Sequence, residues 1–355
     1  MRLWLLVGLA ACDRGDDTGT TVEVVALAGD VEVETNTIVL SHDFAGNVVD
    51  EQTTDATGQV ALAASDLVSV VYMRADAIHV ITAPPLLTSE LAIHGPGADK
   101  SPVIAGAIAI TAPAATGPFA IDIGCKTVTV ATLPTDIDIP AVCFGTDSNI
   151  DVLITTADGT YHAERVPVVD EVAMLDVSGW ESDATPVAID GGGATIAITE
   201  IADTFAFAAP NDHALWTGLV VDQTQIAATL DSRITTAFVA GAATAQTFTA
   251  DDFMPPLTTM LAPNFSWTAT GVGDANVLHA VSSTMVWDAV LPPTADHVTF
   301  PQSGDVAPPD SATVTLRAID GPDTETFADV EAAGIWNGTI VPPPTQGLLK
   351  EADAH

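Results

Sequence analysis

The chain has 355 residues, of which 48% are apolar, so it can bury sizeable cores and is too apolar to be disordered throughout. Its formal net charge is −38, from 47 acidic residues against 9 Lys and Arg. Such a surface repels phosphates, which excludes nucleic acid as a partner, and it also repels anionic lipid headgroups. Two explanations of the acidity stay open: a solvated surface suited to salty surroundings, or a surface that binds cations or a basic partner.

The amino terminus has the parts of a secretion signal. Arg2 supplies an early positive charge, residues 3–11 are apolar, and a polar stretch begins at Asp13. Between them, Leu9-Ala10-Ala11-Cys12 resembles the bacterial lipobox. The resemblance implies a signal peptide at residues 1–11, a lipid on Cys12 and a flexible tether at residues 12–21. The alternative is an ordinary amino terminus in which Cys12 is a small buried residue.

The lipobox resemblance also implies a location. The protein would lie outside the cytoplasm, in the periplasm or on the cell surface, fastened to a bacterial membrane by its lipid. One other stretch, residues 102–121, is uncharged and long enough to span a bilayer. Pro113, Gly117 and Pro118 would break a helix there, so we expect two buried strands joined by a loop.

The three cysteines allow one disulfide. If Cys12 is acylated, Cys125 and Cys143 remain as a single pair. In an oxidising compartment this pair can form a disulfide that closes a loop of about twenty residues. By loss of chain entropy in the unfolded state, such a bond would stabilise the folded protein by roughly 3 kcal/mol. Both residues lie beside strand-like runs, so we expect the bond to bridge adjacent or facing strands. The alternatives are two free buried thiols or a metal pair, and the metal pair lacks further ligands at suitable spacing.

Short strands are expected along most of the chain. Thr, Val and Ile recur in short runs, and Gly and Pro interrupt them roughly every ten to fifteen residues. This texture predicts an all-β fold of tandem β-sandwich domains, Ig-like or transthyretin-like, with at most one short helix.

The first predicted β-domain covers residues 22–96. Alternation from Val31 to Val39 is typical of a half-buried strand, and residues 37–62 predict strand, Gly turn, strand, Asp-x-x-Gly turn and strand. The run Thr-Asp-Ala-Thr-Gly-Gln-Val at 54–60 resembles a turn of the carboxypeptidase regulatory-like, transthyretin-like sandwich. There Asp55 can accept hydrogen bonds and Gly58 can supply a positive φ. The resemblance covers about a fifth of the chain and implies a structural or adhesive module without catalytic residues.

The second predicted domain covers residues 97–182 and contains both late cysteines. A strand from Asp151 leads into an Asp-Gly turn at Asp158, and the return strand begins at Tyr161. A further strand is expected between Glu171 and Trp180.

Residues 183–193 are rich in Asp, Pro and Gly and predict a linker. The third β-domain is expected at 194–345, with a tail at 346–355. A short helix is predicted at Thr324–Ala333. We expect three tryptophans to anchor the core of the third domain, namely Trp216, Trp267 and Trp287.

The sequence offers little catalytic chemistry. It lacks His-Glu-x-x-His, Gly-x-Ser-x-Gly and a phosphate-binding loop. Ser41-His42-Asp43 contains triad residue types, but neighbours on a strand point to opposite faces. Asp147, Asn149 and Asp151 have calcium-loop spacing, yet Val152 replaces the Gly of the sixth position. We therefore predict no catalytic residue, no metal ligand and no cofactor.

These observations favour a lipid-anchored, non-catalytic cell-envelope protein with a structural, adhesive or interaction role. Its partners would be the membrane, through the N-terminal lipid, and a protein, a polysaccharide or a cation. The alternative is an extracytoplasmic ligand-binding protein that captures a cation, a sugar or a small molecule. A cleft lined with exposed aromatic residues between the second and third domains would favour this alternative. A hydrolase would need a buried, converging cluster of Asp, Glu and His.

Overall fold

The computed structural model describes most of the chain between residues 21 and 354. The predicted signal peptide, Cys12, residues 12–20 and the predicted helix lie outside the described residues. The described residues are 21–28, 32–74, 77–85, 90–95, 104–143, 149–203, 205–257, 265–267, 273–303, 306, 312–321 and 347–354.

The all-β fold predicted from the sequence is confirmed. Over the described ranges the regular structure consists of β-strands and two 3-10 turns, Ala141–Cys143 and Ala250–Asp252. None of these ranges contains a helix with the length and apolar character that crossing a bilayer requires.

The first eight strands form a sandwich of two facing sheets. β1, β2, β5 and β8 make one sheet, and β3, β4, β6 and β7 belong to the other. Val24, Tyr72 and Ile81 are among the side chains buried between them. The strands are β1 (Thr21–Ala28), β2 (Glu32–Val33), β3 (Ile38–His42), β4 (Val48–Thr53), β5 (Gln59–Ala63), β6 (Leu67–Met73), β7 (Ile78–Ala83) and β8 (Glu90–Gly95).

The order of strands and turns predicted over residues 37–62 is confirmed. Oδ1 of Asp55 accepts hydrogen bonds from the backbone N–H groups of Thr57 and Gln59 at 2.7 and 3.1 Å, and Gly58 has a φ of 73°. The single strand predicted from Val31 to Val39 is wrong, because a bend divides it between β2 and β3.

The next five strands pair only with one another within the described chain. β9 and β10 form a long hairpin, and β9 also pairs with β11 along its second half and with β13 along its first half. Because β11 pairs with β12 and β12 with β13, these pairings close into a ring around a core of aliphatic side chains. The strands are β9 (Ile104–Asp122), β10 (Thr127–Pro140), β11 (Asn149–Thr156), β12 (Tyr161–Val169) and β13 (Val172–Asp176).

The hairpin of β9 and β10 is strongly curved, and a disulfide closes the curve. A straight strand as long as β10 would separate its ends by more than about 40 Å, at about 3.3 Å per residue. Cys125 and Cys143 flank β10, yet their Cα atoms are 5.3 Å apart and their sulfurs are bonded. Register shifts at Val130/Thr132 and Leu133/Thr135 bend the hairpin, as β-bulges do.

The predicted disulfide between Cys125 and Cys143 is therefore confirmed, but the expectation that it would bridge two strands is wrong, since it joins the two ends of one curved strand. The two buried strands predicted at 102–121 are also one strand, β9. Pro113 lies where β9 and β10 lose register, at a position that requires no ladder hydrogen bond from its nitrogen.

The remaining strands complete a twelve-stranded sheet with the order β17-β16-β19-β20-β27-β26-β23-β24-β7-β6-β3-β4. Three pairs of short strands, β14 with β18, β15 with β21 and β22 with β25, lie outside it. Two of the short strands, β14 and β15, occupy the predicted linker at 183–193. The strands are β14 (Thr185–Pro186), β15 (Ala188–Asp190), β16 (Thr195–Ala202), β17 (Phe205–Ala208), β18 (Ala214–Leu215), β19 (Gln223–Leu230), β20 (Arg233–Ala240), β21 (Ala245–Thr247), β22 (Phe265–Ser266), β23 (Ala275–Val281), β24 (Met285–Leu291), β25 (His297–Val298), β26 (Thr313–Asp320) and β27 (Gly347–Ala354).

The large sheet joins the first and the third predicted domains. β7 pairs in parallel with β24, so strands from 22–96 and 194–345 belong to one sheet and do not form two separate sandwiches. Trp287 of β24 is fully buried, and its Nε1–H donates to the hydroxyl of Thr82 on β7 at 2.8 Å. The hydroxyls of Thr82 and Ser69 are 2.7 Å apart, which extends the contact to β6.

The predicted tail at 346–355 is wrong, because residues 347–354 form β27 between β20 and β26. Its sequence has no β-branched residue and low intrinsic strand propensity, so tertiary contacts must stabilise it. Arg317 of β26 donates from Nε to Asp353 at 2.8 Å and from Nη1 to Glu351 at 3.1 Å. Glu351 is 8% exposed, so Arg317 compensates a carboxylate that is largely removed from water.

We expect Arg317→Met to destabilise the protein by about 2 kcal/mol, since the change leaves Glu351 buried without its partner. Urea unfolding of the two proteins followed by circular dichroism would measure the difference. Arg233→Met is the matched control, because Arg233 contacts Asp231, which is 83% exposed, at 3.5 Å. That control should change the free energy of unfolding by less than about 1 kcal/mol. Equal losses in both variants would contradict the role given to Arg317.

Candidate functional site

The sequence Ser41-His42-Asp43 does not form a catalytic triad. His42 points into the core, where desolvation lowers its pKa and its Nε2 lies 2.8 Å from Oγ of Ser69. Asp43 faces outward and its carboxylate accepts hydrogen bonds from Asn47. Both His42 and Ser69 are fully buried, so a substrate cannot reach them, and their contact belongs to the chain of hydrogen bonds through Thr82 and Trp287.

Asp151, one of the three residues with calcium-loop spacing, forms an ion pair with Arg165. Asp147 lies outside the described residues, and Asp151 is engaged by Arg165, whose Nη2 donates to Oδ2 at 2.7 Å. Asp151 is 4% exposed and points away from solvent. Its carboxylate therefore serves a buried ion pair between β11 and β12.

A histidine–carboxylate pair that the sequence reasoning missed lies on the large sheet. His279 and Asp288 are opposite each other on β23 and β24, and Nδ1 lies 2.5 Å from Oδ1. The hydrogen bond to Asp288 raises the pKa of His279, and the pair offsets the burial of Asp288, which is 2% exposed. The polar run Ser-Ser-Thr at 282–284 was the turn signal in the sequence. A hairpin centred on this run places His279 opposite Asp288.

Glu200 is a second missed group, at the contact between β16 and the β9–β13 ring. One carboxylate oxygen accepts from the backbone N–H of Trp216 at 2.8 Å, while Oε2 has no hydrogen-bond partner among the described residues. Burial raises the pKa of Glu200 to about 7. Trp216 packs edge-on against Tyr161 of β12, with ring centroids 4.5 Å apart, so Glu200 sits where the two parts of the molecule meet.

This contact is built by backbone as well as side chains. The hydroxyl of Tyr161 accepts from the N–H of Thr217 and donates to the carbonyl of Asp183, both at 3.0 Å. Gly218 has a φ of +106°, and a Cβ there would lie 2.5 Å from the carbonyl oxygen of Ala163. Glu200 is therefore a structural carboxylate inside a close-packed contact.

We expect Glu200 to make stability depend on pH. The pKa of Glu200 in the folded protein, about 7, exceeds the ordinary value of 4.5. The stability that its protonated carboxyl group contributes is therefore fully present below about pH 4.5 and is lost as the pH rises through about 7. Glu200→Gln mimics the protonated acid, so it should match the wild type near pH 4.5 and be more stable by up to about 3 kcal/mol at pH 8. Thermal unfolding of both proteins across this range would measure the difference.

Asp212→Asn is the control for the Glu200 experiment, since Asp212 is 57% exposed. Its free energy of unfolding should differ from that of the wild type by about 0.5 kcal/mol or less, as for other exposed surface substitutions. A Glu200→Gln profile that is parallel to the wild type would contradict the raised pKa.

An open groove lies on the β9–β13 ring, and we call it the Trp180 groove. Three segments line it: residues 115–119 of β9, the turn at 156–160 except Gly159, and Trp180. Its volume is about 490 Å³, within the range of about 300–1,000 Å³ typical of small-molecule sites. It forms where the bulges bend the β9–β10 hairpin beside the end of β11.

The groove combines an aromatic wall with a polar turn. The ring of Trp180 stacks on Phe119, with centroids 5.9 Å apart and planes inclined by 19°. Asp158 accepts through Oδ1 from the hydroxyls of Thr156 and Thr160, which lowers its pKa and keeps it ionised at neutral pH. A ligand would therefore meet an apolar ring and a fixed anionic acceptor within one groove.

The tight packing behind the groove explains the small residue in β9. A Cβ on Gly117 would lie 2.4 Å from the ring of Phe119. Since Phe119 supports Trp180, a side chain at position 117 would have to displace the stacked pair. The turn at Asp158 predicted from the Asp-Gly pair is confirmed, whereas no pattern in the sequence indicates that Trp180 lies beside that turn.

No protein family model, curated protein or solved structure matches the chain. Within the described part of the chain, no three His, Cys, Asp or Glu side chains are grouped so that they could hold a metal ion.

Proposed function

We propose that the chain is a lipid-anchored, non-catalytic protein of a bacterial cell envelope that acts by binding a partner. The observation that carries this proposal is the disulfide between Cys125 and Cys143, which pairs two of the three cysteines and leaves Cys12 alone. Disulfides persist in oxidising compartments outside the cytoplasm. Cys12 directly follows Leu-Ala-Ala at the end of an apolar segment, where lipoprotein processing acylates its cysteine.

A lipid is the form of attachment that the composition favours. With a net charge of −38 the protein has no electrostatic attraction to anionic headgroups. Each acyl methylene that enters the bilayer contributes about 0.8 kcal/mol, and two or more chains hold a protein stably. The polar residues after Cys12 would then separate the folded part from the membrane.

A binding role agrees with the contacts of the buried ionisable groups. His42 belongs to a core hydrogen-bond chain, Asp151 pairs with Arg165, and Glu351 pairs with Arg317. Each of these contacts stabilises a sheet, and none opens into the Trp180 groove. The large sheet and the ring of β9–β13 would act as a scaffold that holds an exposed surface away from the membrane.

The second candidate function is extracytoplasmic capture of a small ligand, and the Trp180 groove favours it. The groove offers an aromatic ring, hydroxyls and one carboxylate in a volume of about 490 Å³. The described lining residues lie between β9 and the segment directly after β13, so the groove lies beside the predicted boundary between the second and third domains and not across it.

The anchoring proposal is tested by expressing the full chain in a bacterial host with and without globomycin, which blocks the lipoprotein signal peptidase. We expect a membrane-bound mature protein that begins at an acylated Cys12, and an uncut precursor when globomycin is present. Mass spectrometry of the amino-terminal peptide and fractionation with detergent extraction would measure both outcomes.

Two variants sharpen the anchoring test. Cys12→Ser should abolish acylation, whereas the double variant Cys125→Ser, Cys143→Ser should keep the lipid while losing the disulfide. A wild-type protein that retains residues 1–11 with a free thiol at Cys12 would overturn the proposal. Equal acylation of wild type and Cys12→Ser would also overturn it, because the lipid would then be elsewhere.

A further inference from the structure

We propose that the Trp180 groove is a binding site for a neutral saccharide. The inference rests on the second proposed function, ligand capture outside the cytoplasm, and it names the ligand class. Three features carry it: a partly exposed indole ring, a carboxylate held ionised beside it, and the hydroxyl-rich lining of the same groove.

The indole ring suits the apolar face of a sugar. The C–H bonds on one face of a pyranose carry small positive partial charges, and they stack on the negative face of an aromatic ring. Trp180 is partly exposed and its ring is held by Phe119, which is 4% exposed. Because the stack already fixes the ring, little side-chain entropy is lost when a ligand binds.

The turn at 156–160 supplies the polar half of the site. Oδ1 of Asp158 accepts from the hydroxyls of Thr156 and Thr160 and from the N–H of Thr160, and the Asp158 side chain is exposed to solvent. A carboxylate oxygen held in this way can accept from a sugar hydroxyl, and hydrogen bonds to a charged acceptor are about twice as strong as neutral ones. Thr116 also lines the groove.

Charge limits the class of ligand. The net charge of −38 and the ionised Asp158 disfavour phosphorylated, sulfated and carboxylated ligands. A cationic ligand would be attracted, but the groove offers a single aromatic wall and hydroxyl groups on its other side, which suit a ligand with several hydroxyls. Glycosidic cleavage requires two carboxylates, and Asp158 is the one carboxylate among the described lining residues, so the site should bind without hydrolysis.

The inference is tested by isothermal titration and tryptophan fluorescence on the purified mature chain. The probes are neutral hexasaccharides of glucose, mannose and N-acetylglucosamine with different linkages, and tetramethylammonium serves as the cationic comparator. We expect at least one saccharide to bind with a dissociation constant of about 1 mM or lower, to quench indole fluorescence, and to be recovered intact.

Variants locate the site. Trp180→Ala and Asp158→Asn should each weaken binding by at least about tenfold, which corresponds to about 1.4 kcal/mol. Trp180→Phe should restore much of the binding lost in Trp180→Ala, because a ring is retained. Asp190→Asn is the matched control, since Asp190 is an exposed aspartate at the end of β15 that accepts from the N–H of Gly192 outside the groove, and this variant should bind as the wild type does.

The outcomes separate this inference from the anchoring proposal. Absence of binding to every saccharide, binding of tetramethylammonium alone, or saccharide binding that Trp180→Ala and Asp158→Asn leave unchanged would overturn the saccharide site, even if Cys12 proves acylated. Saccharide binding by a protein whose Cys12 is unmodified would support the site and overturn the anchor.

Discussion

The parallel pairing of β7 with β24 is the contact on which the rest of the large sheet depends. It joins strands that are about two hundred residues apart in sequence, so the chain must close a long loop before the pairing contributes stability. The pairing is reinforced in the core, where the indole N–H of Trp287 and the hydroxyls of Thr82 and Ser69 form one hydrogen-bonded chain. Through it, residues of β3, β6 and β7 on one face of the sheet pack in the same hydrophobic cluster as residues of the carboxyl-terminal strands.

The ring of β9–β13 is stabilised in a different way, and its curvature creates the groove. Bulges bend the β9–β10 hairpin, and the disulfide fixes the bend by joining the two ends of β10. The bend brings residues 115–119 against the turn at Asp158 and against Trp180. Tyr161 packs against Trp216, whose backbone N–H donates to Glu200 of β16, so the ring that carries the groove is in contact with the large sheet.

Features set by short stretches of sequence could be predicted, and features set by distant pairing could not. The turns at Asp55 and Asp158 follow from residues within four positions of each other, and the disulfide follows from cysteine count. The segment of β27 was predicted as a tail because it follows a run of three prolines at 342–344 and the end of the chain is polar, whereas pairing with two neighbouring strands and contacts with Arg317 make it a strand. The Trp180 groove was missed for the same reason, since a curved hairpin assembles three segments that share no local pattern.

Hydrogen exchange followed by mass spectrometry on Thr82→Val tests the shared sheet most directly. The change keeps the shape of the side chain but leaves the indole N–H of Trp287 without its acceptor, at a cost of about 1–3 kcal/mol. In Thr82→Val we expect the protection of backbone amides to fall together in β6, β7 and β24 and to stay unchanged in β9–β13. The control Thr313→Val, at an exposed position, should leave protection unchanged in all of these strands. Loss of protection confined to β6 and β7, with β24 as protected as before, would contradict the account.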